Sequence, residues 1–506
     1  MTLQAPHRRA TWREWLGLTI LTLPVFMMAN DVSVLYLALP RIGADLLPSA
    51  AQSLWILHVG ELLGAGLVLT MGRLGDRVGR RLLLLTGLAV YAAASAAAAF
   101  APDPVTLIAA RAVLGASVAV ISPSALALLR QMFPDSRQFA TAVALYLSAF
   151  SVGMALGPPL GGLLLEFLWW GSVFLVNVPV ALFALVTLPF LLPEFRDPGA
   201  GRLDPASVLL STAALVLVVF GLQEAVSRGP EPPLLAAVAG GLALGWLFWR
   251  RQRRLDDPLL PPGLFSARGF GAAVSLTLLM LLVAGGPNLF LVQFLQSALE
   301  VSPGLVGLLL VLPAVAGLAG TMLTPLLLRW ATAGQVLALS TPVALVGLVS
   351  MAASAGPGSL WGLVTGTVLL SLGGGPAMTL GSQLALSAAP RERTGTASAV
   401  VDVASGMGQT LSLALLGGLG LAVYRGVLEG SVPAGVSSDA AETAGEGVGA
   451  AAAVAGDLGG AVGAALREAA ETALGTALQT VSVVGAVVLA CTIVVVSVRL
   501  WRHRPD

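Results

Sequence analysis

Residues 72–81 read Gly72-Arg73-Leu74-Gly75-Asp76-Arg77-Val78-Gly79-Arg80-Arg81, four arginines and one acid in ten positions. On either side the chain turns apolar: 53–72 carries a single acid, Glu61, and a single histidine, His58, and 82–101 carries no charge at all. A bilayer's hydrocarbon core takes about 20 mostly apolar residues per helix. Each flank is therefore the length of a membrane span, and the charged decapeptide is a tight turn at the water surface. Outward from it the same alternation continues, giving apolar stretches at 15–38, 53–72, 82–101, 105–128, 139–164, 171–193, 206–226, 233–250, 270–296, 304–326, 335–353, 359–386, 395–424 and 476–499. Composition agrees: 57% of residues are hydrophobic and 10% charged, where soluble domains carry about a quarter charged. The chain reads as an all-α membrane protein with 14 transmembrane helices. No cleavable signal precedes the first span, which is too long for one and leads directly into others.

An even number of spans puts both termini on one side. If that side is the cytoplasm, 22 of the 27 arginines lie there, the exceptions being Arg41, Arg111, Arg228, Arg425 and Arg467. Positive charge resists translocation, so N-in, C-in is expected in the cell membrane. Every basic residue is arginine and none is lysine. That excludes a P-loop, whose lysine reaches the nucleotide phosphates, and a Schiff-base lysine. His7, His58 and His503 are too scattered for a zinc motif, and Cys491 alone permits neither a disulfide nor CxxC. No enzyme activity, cofactor or metal is expected. With Lys+Arg 27 against Asp+Glu 26, nothing favours nucleic acid.

The spans group as a cytosolic arm (1–14), a six-helix bundle (15–193), an extra helix pair with cytosolic linkers (194–269), a second six-helix bundle (270–499) and a cytosolic tail (500–506). Segment 425–475, inside the second bundle, is Gly- and Ala-rich with seven acids and two arginines. Its alanines favour two short helices within 439–471. A loose outer spacer and a hairpin over the outer mouth are both open readings.

Glycines in 72–81 let helix ends approach closely. An acid among arginines can form a charge-assisted network with helix ends, a latch made in one conformation and broken in another; alternatively the arginines only set orientation. In span 5, Gly153, Gly157, Gly161 and Gly162 allow close helix packing, and Pro158 removes a backbone bond and kinks the helix. This pattern serves a hinge and seal, or plain packing.

The decapeptide resembles motif A of the major facilitator superfamily, GxLaDrxGrr, at every defined position (Gly72, Gly75, Asp76, Arg77, Gly79, Arg80, Arg81 among them). Gly153-x-x-x-Gly157-Pro158-x-x-Gly161-Gly162 resembles motif C, the antiporter signature. Leu107-x-x-x-Arg111-x-x-x-Gly115 is similar to motif B, with Leu114 where glutamine is common. Asp31-Val32-Ser33 through Ala38-Leu39-Pro40 resembles the first-span motif of the fourteen-helix drug:proton antiporter group, with Ser33 in place of threonine, and Trp170 through Pro179 resembles that group's entry to span 6. The resemblance implies two six-helix bundles plus an extra pair, proton-coupled export, and a part in proton transfer for Arg111. A tyrosine is common in the group where Gly60 stands.

Ionisable groups inside spans are costly and mark candidate sites. Asp31, Glu61, His58, Asp402 and Arg111 are the candidates for proton and substrate coupling. Glu166 and Glu224 lie near outer helix ends as secondary acids. His58 and Glu61, three residues apart, share a helix face and could satisfy each other; Asp31 could equally cap an unwound turn near Asn30. Burial penalises the charged form of a carboxyl, so proton and cargo can compete for one acid while two bundles alternate access around it. Acids with Trp55, Phe26, Phe290 and Phe294 nearby suit lipophilic cations. The leading reading is a monomeric proton-coupled exporter of amphipathic, cationic drugs or dyes. Export of an endogenous metabolite, antibiotic or lipid, a non-transporting scaffold, and an uncoupled uniporter or channel are the alternatives.

Overall fold

The computed structural model describes residues 10–194, 204–229, 231–255, 258–260, 263–266, 269–356, 359–388 and 394–501; side chains at 69, 76, 136, 137, 140, 144, 226–228, 265, 266, 386, 388, 394–396, 398, 399 and 492–501 lie outside the description. Fourteen helices among the described residues are long and apolar enough to cross a membrane, and no strand occurs there. In chain order come α1 (Trp12–Leu46), α2 (Ala50–Val78), α3 (Arg80–Ala99), α4 (Pro104–Met132), α5 (Ser136–Phe167), α6 (Ser172–Leu175), α7 (Asn177–Leu191), α8 (Pro205–Arg228) and α9 (Pro232–Gln252). Then follow α10 (Gly263–Ser266), α11 (Phe270–Ser297), α12 (Pro303–Leu309), α13 (Val311–Leu327), α14 (Ala333–Ala355), α15 (Leu360–Ala388) and α16 (Thr394–Leu411). A π turn (Ser412–Gly417) leads into α17 (Gly418–Glu429), and α18 (Ser438–Gly445), α19 (Val448–Leu458) and α20 (Gly460–Trp501) complete the chain.

Two crossings are broken in the same way. α6 ends at Leu175 and α12 at Leu309, each four residues before a proline, Pro179 and Pro313. A proline has no N–H to return to the carbonyl four residues back, so the ladder is interrupted at that point. α1 lies at the centre of the assembly: 72% of its apolar window is buried inside the protein, against 6% for α9. A helix that is apolar and unburied by protein must bury its surface in lipid, which places α9 at the periphery.

Helices α1–α7 pack chiefly on one another and α11–α20 do the same, while α8 and α9 pair and dock through α8 on α2, the π turn and α17. At its N-terminal end α8 is tied to α9 by Asp204, which accepts from Arg251 Nε at 2.6 Å and Nη2 at 2.9 Å. The Arg251 hydrogen bond holds the Asp204 carboxyl down at about 2. A depressed acid contributes its stabilisation above the ordinary carboxylate range and loses it only as pH falls through the folded value, so this tie persists in mild acid.

The two groups meet at the end of the assembly away from the termini. A Cβ on Gly162 of α5 would lie 2.4 Å from the Pro303 carbonyl, and one on Gly307 of α12 2.2 Å from the Pro158 carbonyl. Glu166 accepts from the Gly304 N–H at 3.1 Å, and Gln296 donates to the Leu37 carbonyl at 3.2 Å.

Of the two readings of segment 425–475, the structure has the hairpin. α17 continues to Glu429 and α20 begins at Gly460, both beyond the apolar runs, because alanine-rich sequence prolongs a helix where nothing interrupts it. The turn between α18 and α19 uses Gly447 at φ +147°, a backbone open mainly to glycine. Tyr424 donates to the Ala444 carbonyl at 3.2 Å, pinning the hairpin to α17. Glu446 accepts from the Ala50 N–H at 2.5 Å and pairs with Arg425 at 3.4 Å. A Cβ on Gly449 would lie 2.8 Å from the Pro40 carbonyl, so the hairpin is seated on α1 and α2 as well as on its own half.

Candidate functional site

Three helices converge on one buried ion pair. Arg111 of α4 donates through Nη1 to Asp31 Oδ2 of α1, with the two side chains 3% and 9% exposed. Arg111 Nε also donates to the Ile56 carbonyl of α2 at 3.2 Å, and its guanidinium lies 6.0 Å from the centre of the Phe174 ring. Glycines make this convergence possible. A Cβ on Gly115 would sit 1.9 Å from the Gly60 carbonyl, and one on Gly60 would sit 3.1 Å from the Arg111 carbonyl and 3.6 Å from its Nη2. Gly60, which stands where a tyrosine is common in the group the sequence resembles, thus makes room for the arginine. Gly115→Ala is expected to force α2 and α4 apart at a cost of about 1–3 kcal/mol, the usual penalty of overpacking. A clear fall in the thermal midpoint of the purified protein checks it; an unchanged midpoint would refute the account of this crossing.

Glu61, on α2 between Gly60 and Leu62, is half-buried, and its Oε2 has no hydrogen-bond partner among the described residues. Arg111 and Asp31 are the charged groups acting on it. Across from it stands Gly406 of α16, where a Cβ would lie 3.1 Å from the Ala65 side chain and 3.7 Å from the Glu61 carbonyl. Beside this contact Gln409 of α16 donates to the Tyr36 hydroxyl of α1 at 2.6 Å. Tyr36 and Gln409 were not among the candidates read from sequence. Their signal was faint, a tyrosine (one of four in the chain) in the turn after Asp31 and an amide in an apolar span.

His58 is fully buried, and neither ring nitrogen makes a hydrogen bond of normal geometry among the described residues, the Leu54 carbonyl one turn back being the backbone group beside the ring. It is therefore not joined to Glu61, contrary to the expectation of a self-satisfied pair. Its ring lies against Trp55, one turn back, with centroids 4.8 Å apart and the planes tilted by 40°, and Trp55 is itself 6.3 Å from Phe220 of α8. Residues three apart still diverge by about 60° around a helix, and the tryptophan claims the imidazole. Asp402 is also separate from the ion pair. It is exposed, one turn from Gly406 toward the terminal end, and Tyr146 of α5 is the group on which its charge acts. Glu166, as noted, bonds Gly304. Glu224 is not at a wet rim: it is 5% exposed, within α8.

Residues 72–81 are not an open turn: α2 continues to Val78, Gly79 alone links it to α3, and this junction is engaged on several sides. Arg73 donates to the Pro258 carbonyl at 2.8 Å. Arg80 is buried and reaches the Pro123 carbonyl at 3.5 Å, with Gly75 so close that a Cβ there would lie 2.9 Å from Arg80 Cδ. Gly72 faces Pro123 as well, at 4.0 Å by the same measure, and Gly79 turns the chain into α3 at φ +123°. Arg81 donates to the Pro189 and Leu192 carbonyls at 3.3 and 3.1 Å and to Glu194 at 3.3 Å. Arg77 is exposed. The side chain of Asp76 lies outside the described residues.

The glycine face of α5 divides between two neighbours. Cβ atoms on Gly153, Gly157 and Gly161 would meet α1 at the Phe26 carbonyl (2.5 Å), Ser33 Oγ (1.9 Å) and Val34 (2.5 Å). Gly162 and Pro158 instead meet α12 of the other half.

Comparison with known proteins agrees with this architecture. The family description Major Facilitator Superfamily matches residues 21–413. The multidrug efflux pump LfrA of Mycolicibacterium smegmatis is 38% identical over 430 residues, covering 85% of each chain. The puromycin resistance protein pur8 of Streptomyces alboniger is 33% identical, over 80% of this chain and 81% of that one. The methyl viologen resistance protein SmvA of Salmonella typhimurium is 31% identical over 84% of each. Among solved structures, a bacterial homologue of the human lysosomal transporter Spinster, inward-facing and unoccupied, superposes with a TM-score of 0.66 at 17% identity, over 98% of this chain and 99% of that one.

Proposed function

The chain belongs to the major facilitator superfamily, a multi-pass plasma-membrane transporter and not an enzyme, and from that premise we propose that it exchanges protons for amphipathic, cationic drugs or dyes, exporting them by alternating access with both termini in the cytoplasm. The observation that carries the reading is the pairing of Asp31 with Arg111 next to an acid, Glu61, whose Oε2 is unpartnered where the two halves meet. An ion pair out of water survives only if both charges stay matched. A proton arriving on Asp31 therefore releases Arg111, and a cation arriving at Glu61 supplies what that carboxylate lacks. Proton and cargo then compete through one electrostatic cluster, and neither state is comfortable with both or with none.

The closure at the end away from the termini supports an inward-open arrangement under this orientation. Gln409 and Gly406 carry the state of the α1–α2 acids to the second half. The efflux and resistance functions named for LfrA, pur8 and SmvA favour foreign small molecules as cargo. Export of a self-made antibiotic would use the same site and differ only in what enters it; a substrate panel in cells lacking other pumps separates the two.

In inside-out vesicles with an acid lumen, a cationic dye that is cargo should dissipate the pH gradient. Asp31→Asn is expected to slow that dissipation at least about tenfold, roughly 1.4 kcal/mol or more on the coupled step. Normal, fully coupled exchange by Asp31→Asn would remove the ion pair from the mechanism.

A further inference from the structure

We propose that the seam between α2, α16 and α8 holds a file of bound water that delivers protons to Glu61 past Thr410 and His58. Two close contacts bracket the seam. At one end Gly406 meets Ala65 (3.1 Å from a built Cβ); at the other Gly417, the last residue of the π turn, meets Leu54 (2.9 Å). By helical register between these contacts, α2 carries Glu61 and His58 and α16 carries Thr410 at the same level. All three carry buried polar atoms that make no hydrogen bond of normal geometry among the described residues: Glu61 Oε2, both nitrogens of His58, and Thr410 Oγ1. α8 adds a fourth, Gln223 Oε1, although the same amide donates to the Ala51 carbonyl at 3.0 Å.

The threonine is the informative member. Thr277, Thr324, Thr341 and Thr367, all buried in spans of the same half, donate to the carbonyl one turn back at 2.6–3.3 Å. Thr410 does not, though the same bond is open to a threonine in any helix. Buried polar atoms are satisfied by protein or by ordered water in the great majority of cases, and a buried water needs two to four such partners. Unmet polar side chains of α2 and α16 at one level between two dry contacts, with Gln223 of α8 at their Ala51 end, meet that need. An apolar lining of Leu62, Val219 and Ala414 flanks them and would keep the file narrow. The π turn fits as well, since such turns gather at functional positions.

The inference rests on the proton-coupled reading, and its test is built to fail separately. Hydroxyl-radical footprinting of the purified full chain by pulsed X-rays marks side chains beside bound water even where bulk solvent cannot reach. His58, fully buried, is expected to be oxidised, and at a rate reduced severalfold in Thr410→Val. An unmarked His58 overturns the proposal whatever transport does. In vesicles, Thr410→Val is expected to slow proton uptake about tenfold while dye binding stays within about twofold. If the seam is dry, the same change removes an unsatisfied hydroxyl, so a raised thermal midpoint with proton uptake at the parent rate overturns the proposal too. Asp31→Asn is run beside it: loss of coupling there with an unmarked His58 leaves the exchanger reading standing and the water file refuted.

Discussion

Arg111→Leu is expected to abolish exchange and to lower stability by about 3–5 kcal/mol, the cost of stranding one member of a buried ion pair. Most of that loss belongs to Asp31. With its guanidinium partner gone, the carboxylate on α1 is left 9% exposed, with no other cation paired to it among the described residues. The prediction is sharpened by a second substitution. Asp31→Asn combined with Arg111→Leu removes both charges, and replacing a buried pair by neutral groups is often close to neutral. The double variant is therefore expected to regain most of the thermal midpoint lost by Arg111→Leu while remaining unable to couple. Groups in contact show interaction energies of about 0.5–3 kcal/mol in such cycles. A double variant no more stable than Arg111→Leu alone would mean that the arginine acts through its bond to the Ile56 carbonyl, and the ion pair would lose its place at the centre of the site.

The span pattern was legible because apolar length and charge spacing are properties of local sequence, and 14 such helices occur among the described residues. The individual charges Asp31, Glu61, His58 and Arg111 were legible for the same reason: each stands out against an apolar background. Their partnerships were not. That Asp31 meets Arg111 depends on how α1, α2 and α4 cross, and the crossing is set by the absence of side chains at Gly60 and Gly115, which no periodicity announces. Helical spacing suggested His58 with Glu61, but an aromatic one turn away competes for the imidazole, and the tilted contact with Trp55 prevailed. Asp402 stood out as an acid in an apolar span just as Asp31 did, yet it lies a turn beyond the contact at Gly406. Tyr36 and Gln409 stayed hidden because an uncharged polar residue costs too little in a span to draw attention.

Gly157→Leu and Gly162→Leu, five residues apart on one helix, are expected to fail in opposite ways. At 157 even a Cβ would lie 1.9 Å from Ser33 Oγ and 3.3 Å from Asn30 Cα, the residues on either side of Asp31–Val32. Ser33 already spends its hydroxyl on the Ala29 and Asn30 carbonyls at 3.2 and 3.1 Å, so it cannot swing away freely. A leucine there must push α1 aside and carry Asp31 off Arg111, and exchange should fall at least a hundredfold with no new leak. At 162 the obstruction is the Pro303 carbonyl and Gly304, which belong to the other half. A leucine there leaves α1 where it is and wedges open the contact that Glu166 and Gly304 close. The expected outcome is loss of the seal: faster passive proton leak down an imposed gradient in liposomes, with the Asp31–Arg111 pair and its contribution to stability retained. Helix packing in membranes depends on such small-residue contacts, so both variants will lose some stability; the contrast in leak is what separates hinge from seal. Equal leak from the two would mean that α5 acts as one packing face, and that its glycines do not divide the work between the halves.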